Sequence, residues 1–178
     1  MSLKAKIEED FKKALKEKRE IEVSTLRMLN AAIINKEKEK RYKLSKKKSE
    51  FKEKDLEKES LLTDEEVIEV VSSEIKKRKE ALILFEKGER KDLTEREKRE
   101  IEVLEKYLPE QLSEEEIKKL AKEVIEKIDV KEPKDYNSPA TLQGKNIYGK
   151  VMAELMPKVK ARAEGGVVSR IVKELLQR

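Results

Sequence analysis

The sequence has no cysteine, histidine or tryptophan among its 178 residues. Without cysteine there is no disulfide, no thiol nucleophile and no zinc–thiolate site. Without histidine the chain lacks the side chain whose ordinary pKa best suits proton transfer near neutrality, and with it the commonest metal ligand. Carboxylate and lysine chemistry stay open but would need a motif to carry them. Aromatic residues make up only 4%, and there are 5 glycines and 4 prolines. No apolar stretch approaches the roughly 20 residues that a membrane helix needs, and Met1–Ile7 has no signal-peptide core. The expected compartment is the cytoplasm, with no membrane partner, metal or cofactor.

Charged residues are abundant, at 47%. Lys, Glu, Leu, Ala and Arg all favour helix, and turn formers are scarce, so the expected fold is all-α. Disorder is the rival for so charged a chain, but regular apolar spacing argues against it for most of the length. Leu3, Ile7, Phe11, Ala14 and Leu15 define one helix face. A second helix is expected from about residue 20 into the forties, with Val23, Leu26, Leu29, Ile33 and Ile34 inward. Residues 36–58 read as an extended or solvated helical segment, with disorder of part of it open.

Three capping boxes follow, at Thr63–Glu66, Thr94–Glu97 and Ser113–Glu116, each leading into a periodic run. Gly88 is a natural C-cap for the first of these helices, and Pro109 stops the second. Residues 129–143 are expected to be a loop. Met152 and Met156 are expected in the core of a helix that Pro157 should break or kink, and Gly165–Gly166 turn the chain into a last helix. The expected domains are residues 1–108, a helical unit that includes the basic linker or extended helix 36–60, and 109–178, a compact unit of short helices. No strand alternation or internal repeat is visible.

The net charge is +5, unevenly spread. Residues 36–58 carry 11 basic and 6 acidic groups, residues 59–143 carry 17 and 24, and residues 144–178 carry 8 and 3. Clustered positive charge at the end of the chain draws polyanions, nucleic acid first among them. The candidate contacts are Lys145, Lys150, Lys158, Lys160, Arg162, Arg170 and Lys173. For each one alone, solubilising charge is the better reading; as a group the two readings are evenly balanced. The string from Gly144 to Gly149–Lys150 imitates a phosphate loop, but Val151 follows where Ser or Thr should stand and no strand precedes it. Acids such as Glu74, spaced from Arg78 by one turn, read as solvated ion pairs worth little each. Gly149 reads as a close-packing position or a permissive helix start, in preference to backbone approach by a phosphate. Arg27 is expected to pair with an acid of the middle segment, facing a partner being the alternative.

Tyr107-Leu108-Pro109-Glu110-Gln111-Leu112-Ser113, Gly149-Lys150-Val151-Met152 and Met156-Pro157-Lys158-Val159-Lys160 together resemble the YqeY family. So does the run from Arg162 through Gly165, and the helices around Leu26-Arg27 and Ile75–Arg78 fit its N-terminal half. The resemblance leaves out residues 36–60. In place of the family's usual Asp and Met, Ile147-Tyr148 stand before Gly149, which makes Asn146 a candidate helix cap. The resemblance implies an N-terminal helical bundle and a small C-terminal three-helix domain, the latter similar to the tRNA-contacting tail of the B subunit of glutamine-dependent tRNA amidotransferases. It associates the family with carbon–nitrogen ligation using glutamine as amide donor. The leading expectation is a tRNA-binding or tRNA-linked protein without catalysis of its own. An accessory factor of that ligase activity, and a helical protein-interaction module with a partner in the translation or amidotransferase system, are the alternatives. The sequence leaves the oligomeric state open.

Overall fold

Capping and apolar spacing divide the chain into helices, and the computed structural model describes residues 1–47, 53–131, 140–160 and 162–176. Eight helices and no strand occur among the described residues: α1 (Leu3–Lys16), α2 (Glu20–Lys47), α3 (Glu53–Glu59), α4 (Asp64–Lys87), α5 (Lys91–Glu105), α6 (Glu114–Lys131), α7 (Ala140–Val159) and α8 (Gly165–Leu176). The protein is all-α. Contacts group the chain into two compact units, Met1–Leu108 and Pro109–Arg178.

Two of the three capping boxes form. Glu66 N–H donates to Thr63 Oγ1 at 3.3 Å while Thr63 N–H donates to Glu66 Oε2 at 2.8 Å. Ser113 and Glu116 repeat the exchange at the start of α6, at 3.3 and 2.8 Å. The third does not form. α5 starts four residues early, at Lys91, and Thr94 sits buried inside it with its hydroxyl donating to the Arg90 carbonyl at 3.0 Å. The preceding turn sets this start. Gly88 is the C-cap of α4 with φ −87°, and the left-handed residue is Glu89, at φ 54°. Arg90 N–H returns to the Phe85 carbonyl at 2.9 Å and Glu89 N–H to Glu86 at 3.1 Å, a complete Schellman pair. α1 ends the same way through Lys18, also at φ 54°.

Helix α2 continues without a break to Lys47, so the first part of the basic segment is ordinary helix. The loop expected over residues 129–143 is shorter, because α6 reaches Lys131 and α7 begins at Ala140; the intervening part of that expectation lies outside the described residues. Pro157 does not end α7, which runs two residues further. A proline in a last turn removes one hydrogen bond near a terminus where carbonyls are already unpaired, which costs far less than in mid-helix.

In the first unit the core gathers Ile7 from α1, Leu26, Leu29 and Ile33 from α2, Val67, Val71 and Ile75 from α4, and Ile101 and Leu104 from α5. Tyr107 closes it, donating its hydroxyl to Asp10 Oδ2 at 2.8 Å. Burial, then the Asp10 carboxylate, pushes its phenol well above the ordinary range.

The pair Glu74–Arg78, expected to be solvated, lies at 7% and 5% exposure. α4 and α5 form an antiparallel hairpin, and α5 covers the pair with Glu100, itself 4% exposed. Arg78 Nε donates to Glu100 Oε2 at 3.0 Å and Nη1 to Glu74 Oε2 at 3.0 Å. Nη1 also reaches the Glu74 carbonyl at 3.1 Å, and Nη2 lies 3.8 Å from Met28 Sδ on α2. Arg96 and Lys77 hold the outer oxygens of Glu100 and Glu74 at 3.1 and 2.7 Å. Burial works to raise the Glu74 pKa, but hydrogen bonds from Lys77 and Arg78 outweigh it and keep the carboxyl below its usual range. Glu97 differs: burial, then the neighbouring Glu100 charge, raises it.

Removing Arg78 alone leaves the inner oxygens of two buried carboxylates without their cation. R78A is expected to cost about 3–5 kcal/mol in urea unfolding, whereas R78M with E74L and E100L should cost much less, because the replaced charges no longer need each other. The two acids have opposite pH signatures. Because Glu74 has a depressed folded pKa, its contribution is present at neutral pH and lost as pH falls through that pKa. Because Glu97 has a raised folded pKa, its ionised form costs stability above the carboxylate range. E97Q should therefore raise the thermal midpoint at pH 7, with the gain vanishing once acid protonates Glu97 in the parent.

Candidate nucleic-acid interface

The second unit is a cluster of α6, α7 and α8, each packed on the other two. Ile117, Ala121, Val124 and Ile128 of α6 meet Val151, Leu155 and Val159 of α7 and Val168, Ile171 and Val172 of α8. Met152 and Met156 are half-buried against this core, filling its edge. With the apolar residues turned inward, helical spacing puts the basic side chains on the flanks and outer sides.

The candidate cations have different surroundings. Lys158 and Lys160 are exposed at the end of α7, Lys158 forming no ion pair among the described residues. Lys150 is half-buried one helical stretch earlier. On α8, Lys173 is exposed, with its Nζ 5.9 Å from the centre of the Tyr148 ring, and the Tyr148 hydroxyl meets Ser169 Oγ at 2.9 Å. Arg170 is exposed but pairs with Glu114 at the start of α6. Arg162 is half-buried and structural: its Nε donates to the Glu110 carbonyl at 3.2 Å, and its own carbonyl accepts from Leu112 N–H at 2.7 Å. Its charge, after the amide and hydroxyl of Ser113, helps hold Glu116 below the ordinary carboxylate range. Lys145 falls within α7, but its side chain lies outside the described residues. The set thus divides into Lys158 and Lys173, exposed and without an ion pair among the described residues, Lys160, exposed just past α7, Lys150, half-buried, Arg170, engaged by an exposed acid, and Arg162, committed to the fold.

The phosphate-loop imitation from Gly144 to Lys150 lies wholly within α7. Asn146 is likewise inside α7 and not at its start. Neither expectation for Gly149 holds, since it lies in the helix interior and a Cβ there would meet nothing within 4 Å. Arg27 is exposed and makes no ion pair among the described residues, so the expected pairing with an acid of the middle segment does not form; Glu74 and Glu100 of that segment are turned inward to Arg78. Sequence reasoning missed that inward turn. Its signal was present: Glu74 and Arg78 lie on the same stripe as Val67, Val71, Ile75 and Leu82.

No group of three or more Asp or Glu among the described residues could hold a metal ion. No helix among them is long and apolar enough to cross a membrane. An open groove of about 840 Å³ between α2 and α4 is lined by Met28, Ala31, Glu69, Val70, Glu74 and Lys77, among others. Its buried acid, Glu74, is held ionised by two cations and is a poor proton donor at neutrality.

These features describe a small, highly charged all-α protein in two units, the second presenting lysines around a three-helix core. The family model described as Yqey-like protein (YqeY) matches residues 32–176, and the chain belongs to the YqeY family. The match runs through residues 36–60, which the resemblance had left out, and begins after Leu26-Arg27. A protein of Pyrenophora tritici-repentis named altered inheritance of mitochondria protein 41, mitochondrial, is 25% identical over 174 residues, covering 96% of this chain and 79% of that one. An uncharacterized protein of Schizosaccharomyces pombe is 47% identical over 51 residues, 29% of this chain and 42% of that one.

An exposed glycine inside a helix is about 1 kcal/mol less favourable than alanine. G149A should therefore raise the thermal midpoint of unfolding, followed by circular dichroism.

Proposed function

We propose that this chain binds tRNA through its C-terminal unit and performs no catalysis on its own. The observation that carries the reading is the outward placement of Lys158, Lys160 and Lys173 around an apolar three-helix core, with Arg170 held only by an exposed acid. Lysine ammonium groups are compact charges suited to phosphate, and a charge lattice on a small helical unit reads RNA by shape and backbone rather than by base edges. Arg170 can exchange Glu114 for a phosphate, since an exposed pair of this kind is worth at most about 1 kcal/mol. The likeness to the tail of tRNA amidotransferase B subunits supports the choice of tRNA. The role we propose is that of an accessory to glutamine-dependent amidation or to translation, with the cytoplasm as its compartment; the Pyrenophora relative is named for the mitochondrion.

Filter binding of tRNA across a salt series tests this. Affinity is expected to fall steeply with salt. The combined variant K158Q, K160Q, R170Q and K173Q should weaken binding and lower the slope by roughly one unit for each phosphate no longer neutralised. Arg162 is left intact because its removal would disturb the fold. Absence of binding at low salt, or affinity indifferent to salt, overturns the proposal, and amide formation on misacylated tRNA by the purified chain alone overturns its non-catalytic part.

A further inference from the structure

A second cationic surface lies in the other unit, on the C-terminal half of α2. Residues 36–46 carry six basic and two acidic side chains. The acids in and around this stretch are already engaged. Glu37 takes Lys4 at 2.8 Å and the Leu62 amide at 3.4 Å, and Glu39 takes Lys36 at 3.4 Å. From neighbouring elements, Glu66 holds Lys40 at 2.7 Å and Glu53 holds Arg41 at 3.2 Å. Lys38, Lys43 and Lys46 are exposed and form no ion pair among the described residues.

Tyr42 stands among these lysines with 61% of its surface in solvent, one of only seven Tyr and Phe residues in the chain. Lys38, Tyr42 and Lys46 are spaced by four, so one stripe of the helix shows lysine, aromatic ring and lysine on successive turns. Lys46 Nζ already rests 4.6 Å from the ring centre, which shows the ring face to be accessible to a cation. Aliphatic side chains of this unit are exposed as well, Leu84 at 67% and Met28 at 53% among them, but Tyr42 is the one aromatic ring exposed to this degree among the described residues. A ring flanked by unpaired ammonium groups is the arrangement that takes a nucleobase on its face and the adjoining phosphates on either side. An anionic membrane would instead require an aliphatic stripe to insert. The only aliphatic residue in this stretch, Leu44, is half-buried.

We propose that Tyr42, with Lys38, Lys43 and Lys46, is a binding site for unpaired RNA, stacking one base between cations, separate from the phosphate-binding surface of the C-terminal unit. The site discriminates by strandedness, because a duplex keeps its bases stacked on one another and offers only phosphates. Fluorescence anisotropy of the full chain with a short oligouridylate and with an RNA duplex tests it. Y42A should weaken oligouridylate binding roughly tenfold, the loss of one base–aromatic stack, and leave duplex binding within about twofold. Y42F, which keeps the ring, should bind like the parent. K38Q, K43Q and K46Q together should lower the single-strand salt slope by roughly 2, at about 0.7 per phosphate. Circular dichroism checks that the helix persists in each variant.

Equal single-strand affinity of parent and Y42A, equal losses on both RNAs, or no oligouridylate binding by the parent overturns the site. So does binding to phosphatidylserine vesicles that depends on Tyr42 and displaces the oligouridylate. The combined C-terminal variant should keep the full Y42A effect on single strands. Failure of the tRNA-binding reading and failure of this site are thus distinguishable.

Discussion

The first unit is organised around one buried guanidinium. Arg78 is the point at which α4 and α5 meet: it binds Glu100 across the hairpin, Glu74 on its own helix, and lies against Met28 of α2. Taking an ion from water into a protein interior costs several kcal/mol, and attraction offsets that only if the geometry is good and the remaining donors and acceptors are filled. Here they are filled from outside, by Arg96 and Lys77 on the second oxygens of the two acids. The cluster is therefore directional in a way that an apolar contact is not. Valines and leucines alone would allow α5 to slide along α4, whereas a fork of donors fixes both register and rotation.

This explains what the sequence made legible and what it hid. The all-α class follows from composition and spacing. Two capping boxes were readable because a cap is a local device: Thr63 and Glu66 need only each other. Thr94–Glu97 has the same letters and a different outcome, because the left-handed residue at Glu89 closes α4 so tightly that α5 is already under way when Thr94 arrives. The deciding constraint lay in the preceding turn, and its residue was glutamate rather than glycine. Pro157 misled for a related reason, since its effect depends on how many turns follow it. Glu74 and Arg78 were hidden because a one-turn charge pair looks alike on a wet face and a dry one; only their alignment with the valine stripe separates the two.

The candidate interface was legible as a pool of charge and illegible as a surface. Counting residues treats Arg162 and Lys158 alike, but a guanidinium has several directed donors and readily becomes part of the fold, while an ammonium on a flexible stem stays in water. The structure follows that difference, with Arg162 bound to the Glu110 carbonyl and Arg170 to Glu114, while Lys158 points outward.

The same distinction bears on what kind of chemistry the protein supports. Among carboxylates whose pKa shifts, Glu66, Glu74 and Glu116 are held down by hydrogen bonds from cations, amides or a hydroxyl, and so are ionised at neutrality. Among the described acids Glu97 alone moves upward. Such groups are fixed charges, suited to holding helices in register, and proton transfer at pH 7 calls for a group poised near that pH. Fixed charge is also what a polyanion reads. An ammonium set on a rigid helix presents the same field at any physiological pH, so the salt concentration rather than the proton concentration governs what it holds. The chain's lack of histidine and its outward lysines then belong to one physical description, that of a surface whose positive charge persists across physiological pH.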